Sequence, residues 1–230
     1  MRRVLAILAA GNATRAGVDK VLADLGGQPV LAWSLASGLA AGCFDDIVVV
    51  AQNTNLARIA NLVRERAPSA RVIAGGATRT ASSWAALDAA SDADIIAIHD
   101  AARPFVPPSL FTRCVEVASA DGSAIAGLPL ADTVRRADEA GAATEELSRD
   151  GLWSAQTPQV FRRELLARAR EAAGERSYSD DAAALVEAGI QPKMVLGERR
   201  NLKLTTLEDL AYARELVAKG LVGFPVLQVR

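Results

Sequence analysis

The chain is expected to fold as one α/β domain, a mostly parallel sheet with helices on both faces. Three observations predict this. Short apolar runs alternate with segments of helical period for most of the length, the signature of repeated strand-helix units. The chain has 230 residues and is 50% hydrophobic, enough to bury a full core; roughly three-quarters of the unfolded surface is removed from water near this size. A glycine-containing loop follows the first apolar run directly, where free backbone amides can face a ligand.

In chain order, Val4–Leu8 reads as a strand, Pro29–Ala41 as a helix and Ile47–Ala51 as a strand. Leu56–Arg66 (helix), Arg71–Ala74 (strand), Thr80–Ala90 (helix) and Ile95–Ile98 (strand) continue the alternation. A helix around Pro108–Ala118 and a strand around Ala124–Leu130 extend it, with right-handed crossovers as the default. Between Ala131 and Ala155 the pattern changes to an acidic alanine-glycine turn, Asp138 to Ala143, flanked by polar pieces of strand length. This segment is read as an arm projecting from the sheet, with a surface loop as the alternative; connections this long are usually functional or disordered. The chain returns with a helix at Glu164–Ala173, a helix opened by Ser179-Asp180-Asp181, a strand near Lys193–Leu196 and a last helix from Leu207 to Lys219. Thr205 followed three residues later by Glu208 predicts a capping box for that helix.

A formal net charge of -1 argues against general affinity for nucleic acid, so any polyanion site must be local. Cys43 and Cys114 have no CxxC spacing and read as reduced, buried thiols of a cytoplasmic protein. The run Val4 to Ala10 is too short for a membrane span or a secretion signal. No membrane partner is expected.

Four segments could carry chemistry. The first is the loop from Ala9 to Lys20, containing Ala10, Gly11, Arg15 and Lys20; it is neither a P-loop nor a clean dinucleotide fingerprint. The second, Gly75-Gly76-Ala77-Thr78-Arg79-Thr80-Ala81-Ser82, follows a strand and opens a helix, where exposed amides and the dipole favour anionic or polar ligands. Its plain alternative is an ordinary loop with Thr80 as the cap. The third, His99 to Pro104, follows an apolar strand and places Asp100 and Arg103 where open α/β sheets bind ligands; a carboxylate beside a phosphate site suits Mg²⁺. His99, the only histidine, is read as structural. The fourth is scattered over Asp132-Thr133, Arg149, Trp153, Gln156 to Gln159 and Ser179-Asp180-Asp181, where hydroxyls plus arginine suit a hydroxylated phosphate ester. Lys203 stands out as well. Lysines are scarce here, limited to positions 20, 193, 203 and 219, and a lysine supplies a compact, flexible point charge.

These segments in this order resemble the 2-C-methyl-D-erythritol 4-phosphate cytidylyltransferase family, and the match runs from the Ala-Ala-Gly loop to Leu207-Glu208-Asp209-Leu210. His-Asp-Ala-Ala-Arg-Pro at residue 99 together with Gln-Thr-Pro-Gln at residue 156 is its most specific part. The resemblance implies a Rossmann-like nucleotidyltransferase fold, CTP and Mg²⁺ as reaction partners, and a homodimer with interlocking arms at about residues 131–155. It implies that Arg15 and Lys20 contact the triphosphate and stabilise the transition state. Arg149 and Lys203 would position the acceptor phosphate, with Arg149 reaching the neighbouring subunit's site. Thr133 and Ser179 would line the acceptor pocket, while Ala10, Gly11, Gly76 and Ser82 hold cytosine and ribose, and Asp100 and Arg103 sit at the metal and sugar. Departures from the family pattern are Ala13 for the second loop glycine, Asp19 for a proline, Ala77 for a carboxylate and Ser179 for threonine. No cyclase module, as in fused members, is expected in 230 residues. The rival readings are a cytidylyltransferase for another polyol phosphate such as ribitol 5-phosphate, a nucleotide-binding regulatory protein without turnover, and, further off, a Rossmann dehydrogenase.

Overall fold

A computed structural model describes residues 1–11 and 19–225. Its strands are β1 (Arg3–Ala9), β2 (Asp24–Leu25), β3 (Gln28–Pro29), β4 (Asp46–Ala51), β5 (Arg71–Ala74), β6 (Ile95–Asp100), β7 (Ser123–Pro129), β8 (Val134–Ala137), β9 (Ala143–Leu147), β10 (Trp153–Arg162) and β11 (Lys193–Leu196). Its helices are α1 (Val30–Ala41), α2 (Leu56–Arg66), α3 (Arg79–Ala89), α4 (Pro108–Asp121), α5 (Arg163–Ala173), α6 (Asp181–Glu187) and α7 (Leu207–Ala218).

Among the described residues, seven strands make one sheet in the order β11-β7-β10-β6-β1-β4-β5. All run parallel except β10, which is antiparallel to both its neighbours. The predicted architecture holds, with β10 as the element that pattern alone did not reveal. Successive side chains of a strand point to opposite faces, so the unbroken apolar run of β1 feeds two cores. Leu5 and Ile7 pack with Leu31, Leu35, Ile59, Val63 and Phe111 from α1, α2 and α4. Val4, Ala6 and Leu8 pack with Leu87, Leu166 and Leu185 from α3, α5 and α6. A third cluster, around Trp33, Phe105 and Leu204, receives Leu210 and Ala213 of α7.

From β1 the chain moves outward to β4 and β5, then crosses back to β6 on the other side of β1. That reversal opens a crevice at the carboxyl ends of β1 and β6, the customary ligand position in such sheets. Two helix starts differ from expectation. The cap of α3 is Thr78, whose hydroxyl accepts from Ala81 N at 3.0 Å; Thr80 is buried and bonded elsewhere. The capping box of α7 is formed by Thr206 and Asp209, one residue beyond the expected Thr205 and Glu208. Asp180 caps α6 through Ala183 N at 3.0 Å. Between 131 and 155 lies an exposed hairpin, β8 with β9, carrying Arg135–Glu146 and Arg136–Glu145 ion pairs across its strands.

Candidate active site

The crevice contains a pocket of about 340 Å³, lined among others by Ala10 and Gly11 after β1, Thr78, Arg79 and Ser82 of the α3 entrance, Asp100 at the end of β6, and Lys203. The α3 entrance depends on close packing. A Cβ on Gly75 would stand 2.8 Å from Ala10 Cβ, and one on Gly76 would stand 2.3 Å from Ala81 Cβ. Gly76 N donates to Ser82 Oγ at 3.2 Å, closing the turn over the helix end.

Asp100 is the electrostatic centre. Its Oδ2 lies 2.7 Å from Lys203 Nζ, and its Oδ1 accepts from Arg79 Nε at 3.2 Å. Burial alone would push this carboxyl up, but Arg79, Lys203 and Arg103 outweigh it and hold it well below the usual carboxylate range. It is therefore ionised at any physiological pH. Arg79 also reaches Asp181 Oδ2 at 2.8 Å. At Asp181 burial outweighs the neighbouring guanidinium, and its carboxyl sits above the ordinary value.

A buried amide network holds the segment that carries Lys203. Gln156 donates from Nε2 to Glu198 O at 3.0 Å, and its Oε1 accepts from Glu198 N at 3.3 Å and Asn201 Nδ2 at 3.1 Å. Asn201 also donates to Thr157 O at 2.8 Å, while Arg103 Nη1 donates to Asn201 O at 2.7 Å. Thr157 Oγ1 accepts from Asp100 N at 3.0 Å and meets His99 Nδ1 at 3.0 Å. With Nε2 facing Arg103 O at 3.3 Å, the network assigns the Nε2–H tautomer, so Nδ1 accepts the Thr157 hydroxyl proton. Burial holds His99 down to about 4. It is a neutral bracket for Asp100, as its structural reading supposed.

Of the residues singled out in the sequence, Ala10, Gly11, Ser82, Asp100 and Lys203 line the pocket, with Gly76 beside Ser82 and Arg103 behind Asn201. Lys20 Nζ bonds Thr205 O, next to the Lys203 segment. Arg15 lies outside the described residues. Thr133 and Arg149 are exposed on the arm, where Arg149 Nη1 bonds Ala131 O, and neither lines the pocket. Ser179 is exposed just before α6. Sequence reasoning missed Arg79; the available signal was an arginine opening the helix three residues after Gly76.

No group of three or more His, Cys, Asp or Glu among the described residues could form a metal cage. Mg²⁺ commonly needs only one or two carboxylates beside substrate phosphates. Asp100 fits that role, since it is ionised and each oxygen keeps lone-pair capacity beyond its one cationic partner.

A cation-flanked carboxylate at the switch point of a doubly wound sheet defines a nucleotide-handling α/β protein of the nucleotidyltransferase type. The family model for 2-C-methyl-D-erythritol 4-phosphate cytidylyltransferase (IspD) matches residues 4–219. The chain belongs to that family. It is 44% identical over 225 residues to a bifunctional IspD/IspF enzyme of an Anaeromyxobacter species, covering 94% of this chain and 57% of that protein. It therefore spans somewhat over half of that relative. Identity is 41% with the 2-C-methyl-D-erythritol 4-phosphate cytidylyltransferase of Deinococcus radiodurans, over 94% of this chain and 89% of the relative. The crystal structure of the Thermus thermophilus cytidylyltransferase superposes with a TM-score of 0.77 at 32% identity, covering 95% of this chain and all of that one. That of a 4-diphosphocytidyl-2C-methyl-D-erythritol synthase from Anaerococcus prevotii reaches 0.83 at 26% identity, covering 94% and 98%.

Proposed function

We propose that this pocket transfers the cytidylyl group of CTP to 2-C-methyl-D-erythritol 4-phosphate, giving 4-diphosphocytidyl-2-C-methyl-D-erythritol and pyrophosphate. The observation that carries the proposal is the pairing of Lys203 with ionised Asp100 inside the pocket, in a chain of this family. An oxygen of the acceptor phosphate attacks the α-phosphorus in line; the bond to the β-phosphate oxygen breaks and pyrophosphate leaves with the electron pair. Because the acceptor phosphate is already ionised, no strong general base is required. The neutral, fully bonded His99 is consistent with that. Catalysis then rests on positioning and on cations aimed at the charge that grows in the transition state.

In this scheme Arg15 and Lys20 bear on the triphosphate, and Ala10, Gly11, Gly76 and Ser82 hold base and ribose. Asp100 would hold a divalent cation, which when bound neutralises part of the triphosphate charge. Arg103 supports the Lys203 segment and the sugar side. Lys203 orients the acceptor phosphate, with Thr133 and Ser179 at its polyol. Arg149 stands on the exposed arm and is assigned to the site of a second subunit in a homodimer; the arm at about 131–155 is then the dimerisation element of a single-domain chain. The test is pyrophosphate release over a matrix of nucleoside triphosphates and polyol phosphates. Turnover confined to CTP with methylerythritol phosphate is expected. Turnover with ribitol 5-phosphate instead, or with another nucleotide, would overturn the assignment, and none with any pair would favour a binding protein.

A further inference from the structure

Arg79 sits at the first position of α3, directly after the glycine turn on the nucleotide side of the pocket, and lines that pocket. Its side chain is 22% exposed and faces two carboxylates that are themselves buried, Asp100 with 10% and Asp181 with 2% of the side chain exposed. These come from different elements. Asp100 ends β6, whereas Asp181 opens α6, right after the segment that carries Ser179. The next residue makes the same connection: Thr80 Oγ1 accepts from Tyr178 N at 2.8 Å, and the hydroxyl lies 3.2 Å from Tyr178 O and from Ser177 Oγ. Gln159 of β10 fixes the other side, its Oε1 accepting from Asp181 N at 3.1 Å and Ala182 N at 3.0 Å. Segment 177–182 is thus pinned to the glycine turn by Arg79 and Thr80, and to the sheet by Gln159.

We propose that Arg79 is a positioning residue for the transfer reaction, a fork that ties the nucleotide-side turn to the acceptor-side segment 177–181 and sets the spacing between the two halves of the pocket. This rests on the reaction proposed above. A guanidinium presents donors in fixed, divergent directions and can hold two carboxylates from separate elements at once; an ammonium is a single point charge and cannot. Without it, two buried carboxylates share no cation, and Asp181 keeps the Ser83 hydroxyl but loses the cation that offsets its burial. The segment would shift, and a displacement of about 1 Å in a reacting geometry can cost about 10²-fold in rate.

The test uses the full chain with Arg79→Met, Arg79→Lys and Asp181→Asn, following kcat, both KM values, thermal melting and hydrogen exchange across 177–187. In Arg79→Met, kcat is expected to fall about 10²-fold while both KM values move far less, exchange across 177–187 quickens, and free guanidinium ion restores part of the rate. Arg79→Lys should recover little. Wild-type kcat in Arg79→Met, full recovery by lysine, or a loss appearing only as a raised KM for CTP would overturn the proposal, the last making Arg79 a nucleotide ligand instead. Should Arg79→Met fail to fold, Asp181→Asn decides: lowered kcat with CTP binding retained supports the fork, and unchanged kcat sinks it. If wild-type protein fails to turn over CTP and methylerythritol phosphate, the reaction assignment falls by itself. Exchange across 177–187 then judges the fork alone, and an unaltered rate in the variants would remove it.

Discussion

Lys203 and Asp100 lie far apart in sequence yet 2.7 Å apart in space, and what each does depends on the other. Removing a preorganised cation from a site of this kind typically costs about 10²–10³ in rate. Lys203→Ala and Arg15→Ala are each expected to lose that much kcat with unchanged circular dichroism; near-normal turnover in both would defeat their assignment. Cys114 supplies a second prediction. Burial pushes its thiol up from 9.0 to about 12, so the folded state keeps a proton that the unfolded chain releases. Its contribution is whole below pH 9 and shrinks as the pH rises from 9 toward 12, by at most about 1.4 kcal/mol per pH unit. Denaturant titrations at pH 8 and pH 10 should show a smaller alkaline loss in Cys114→Ala than in wild type, and equal losses would contradict it. Single residues were legible where they sat in a run. Asp100 and Lys203 stood in compact motifs, whereas the one local signal at Arg79, its place at the start of α3, says nothing of its partners, because Asp100 and Asp181 reach it only through the crossover connections.

Helices and strands were read well where an apolar period spoke for them, and misread where polar atoms decide. The α7 entrance is an instance: Thr206 Oγ1 accepts from Asp209 N at 3.1 Å, and the Asp209 carboxylate accepts from Thr206 N at 2.8 Å. Both Thr205 and Thr206 are plausible caps by sequence, and only backbone direction chooses between them. Thr206→Ala should therefore cost about 1 kcal/mol in urea denaturation, while Glu208→Ala costs clearly less, since its carboxylate contributes only first-turn hydrogen bonding outside the box. The reverse outcome would restore the box at Thr205 and Glu208. Strand β10 escaped notice for a different reason. Its residues Gln156, Thr157 and Gln159 are polar yet buried, and a proline inside the run argues against a central strand. Those side chains serve the Lys203 segment and α6 rather than an apolar core, so no hydrophobic alternation marks them.

At the scale of the molecule, the β8–β9 hairpin is the feature that one chain does not explain. A lone two-stranded hairpin is marginal in water, and this one pairs with no further strand among the described residues. The proposed homodimer would cover it and would bring Arg149 to the neighbouring pocket. Mixing inactive Arg149→Ala with inactive Lys203→Ala protein, under conditions of subunit exchange, is expected to restore part of the wild-type rate. Exchange without any recovery would confine Arg149 to its own chain. The overall α/β architecture was legible from composition and alternation alone; the proposed partnership of arm and pocket is implied only by the family resemblance, since it involves surface that a single sequence pattern leaves unassigned.

Strand β10 runs against its neighbours, so its first residues, not its last, reach the rim where ligands would enter. An extra residue placed between Thr157 and Val160 would push Gln156 out of register with Glu198 and Asn201 while leaving the apolar layers almost untouched. Lengthening the loop at 138–142, by contrast, disturbs within the chain only the turn's own hydrogen bonds to Asp138. Tolerance to insertion should therefore change abruptly along a short stretch of chain, and a library of single-codon duplications from 131 to 162 would trace that boundary directly.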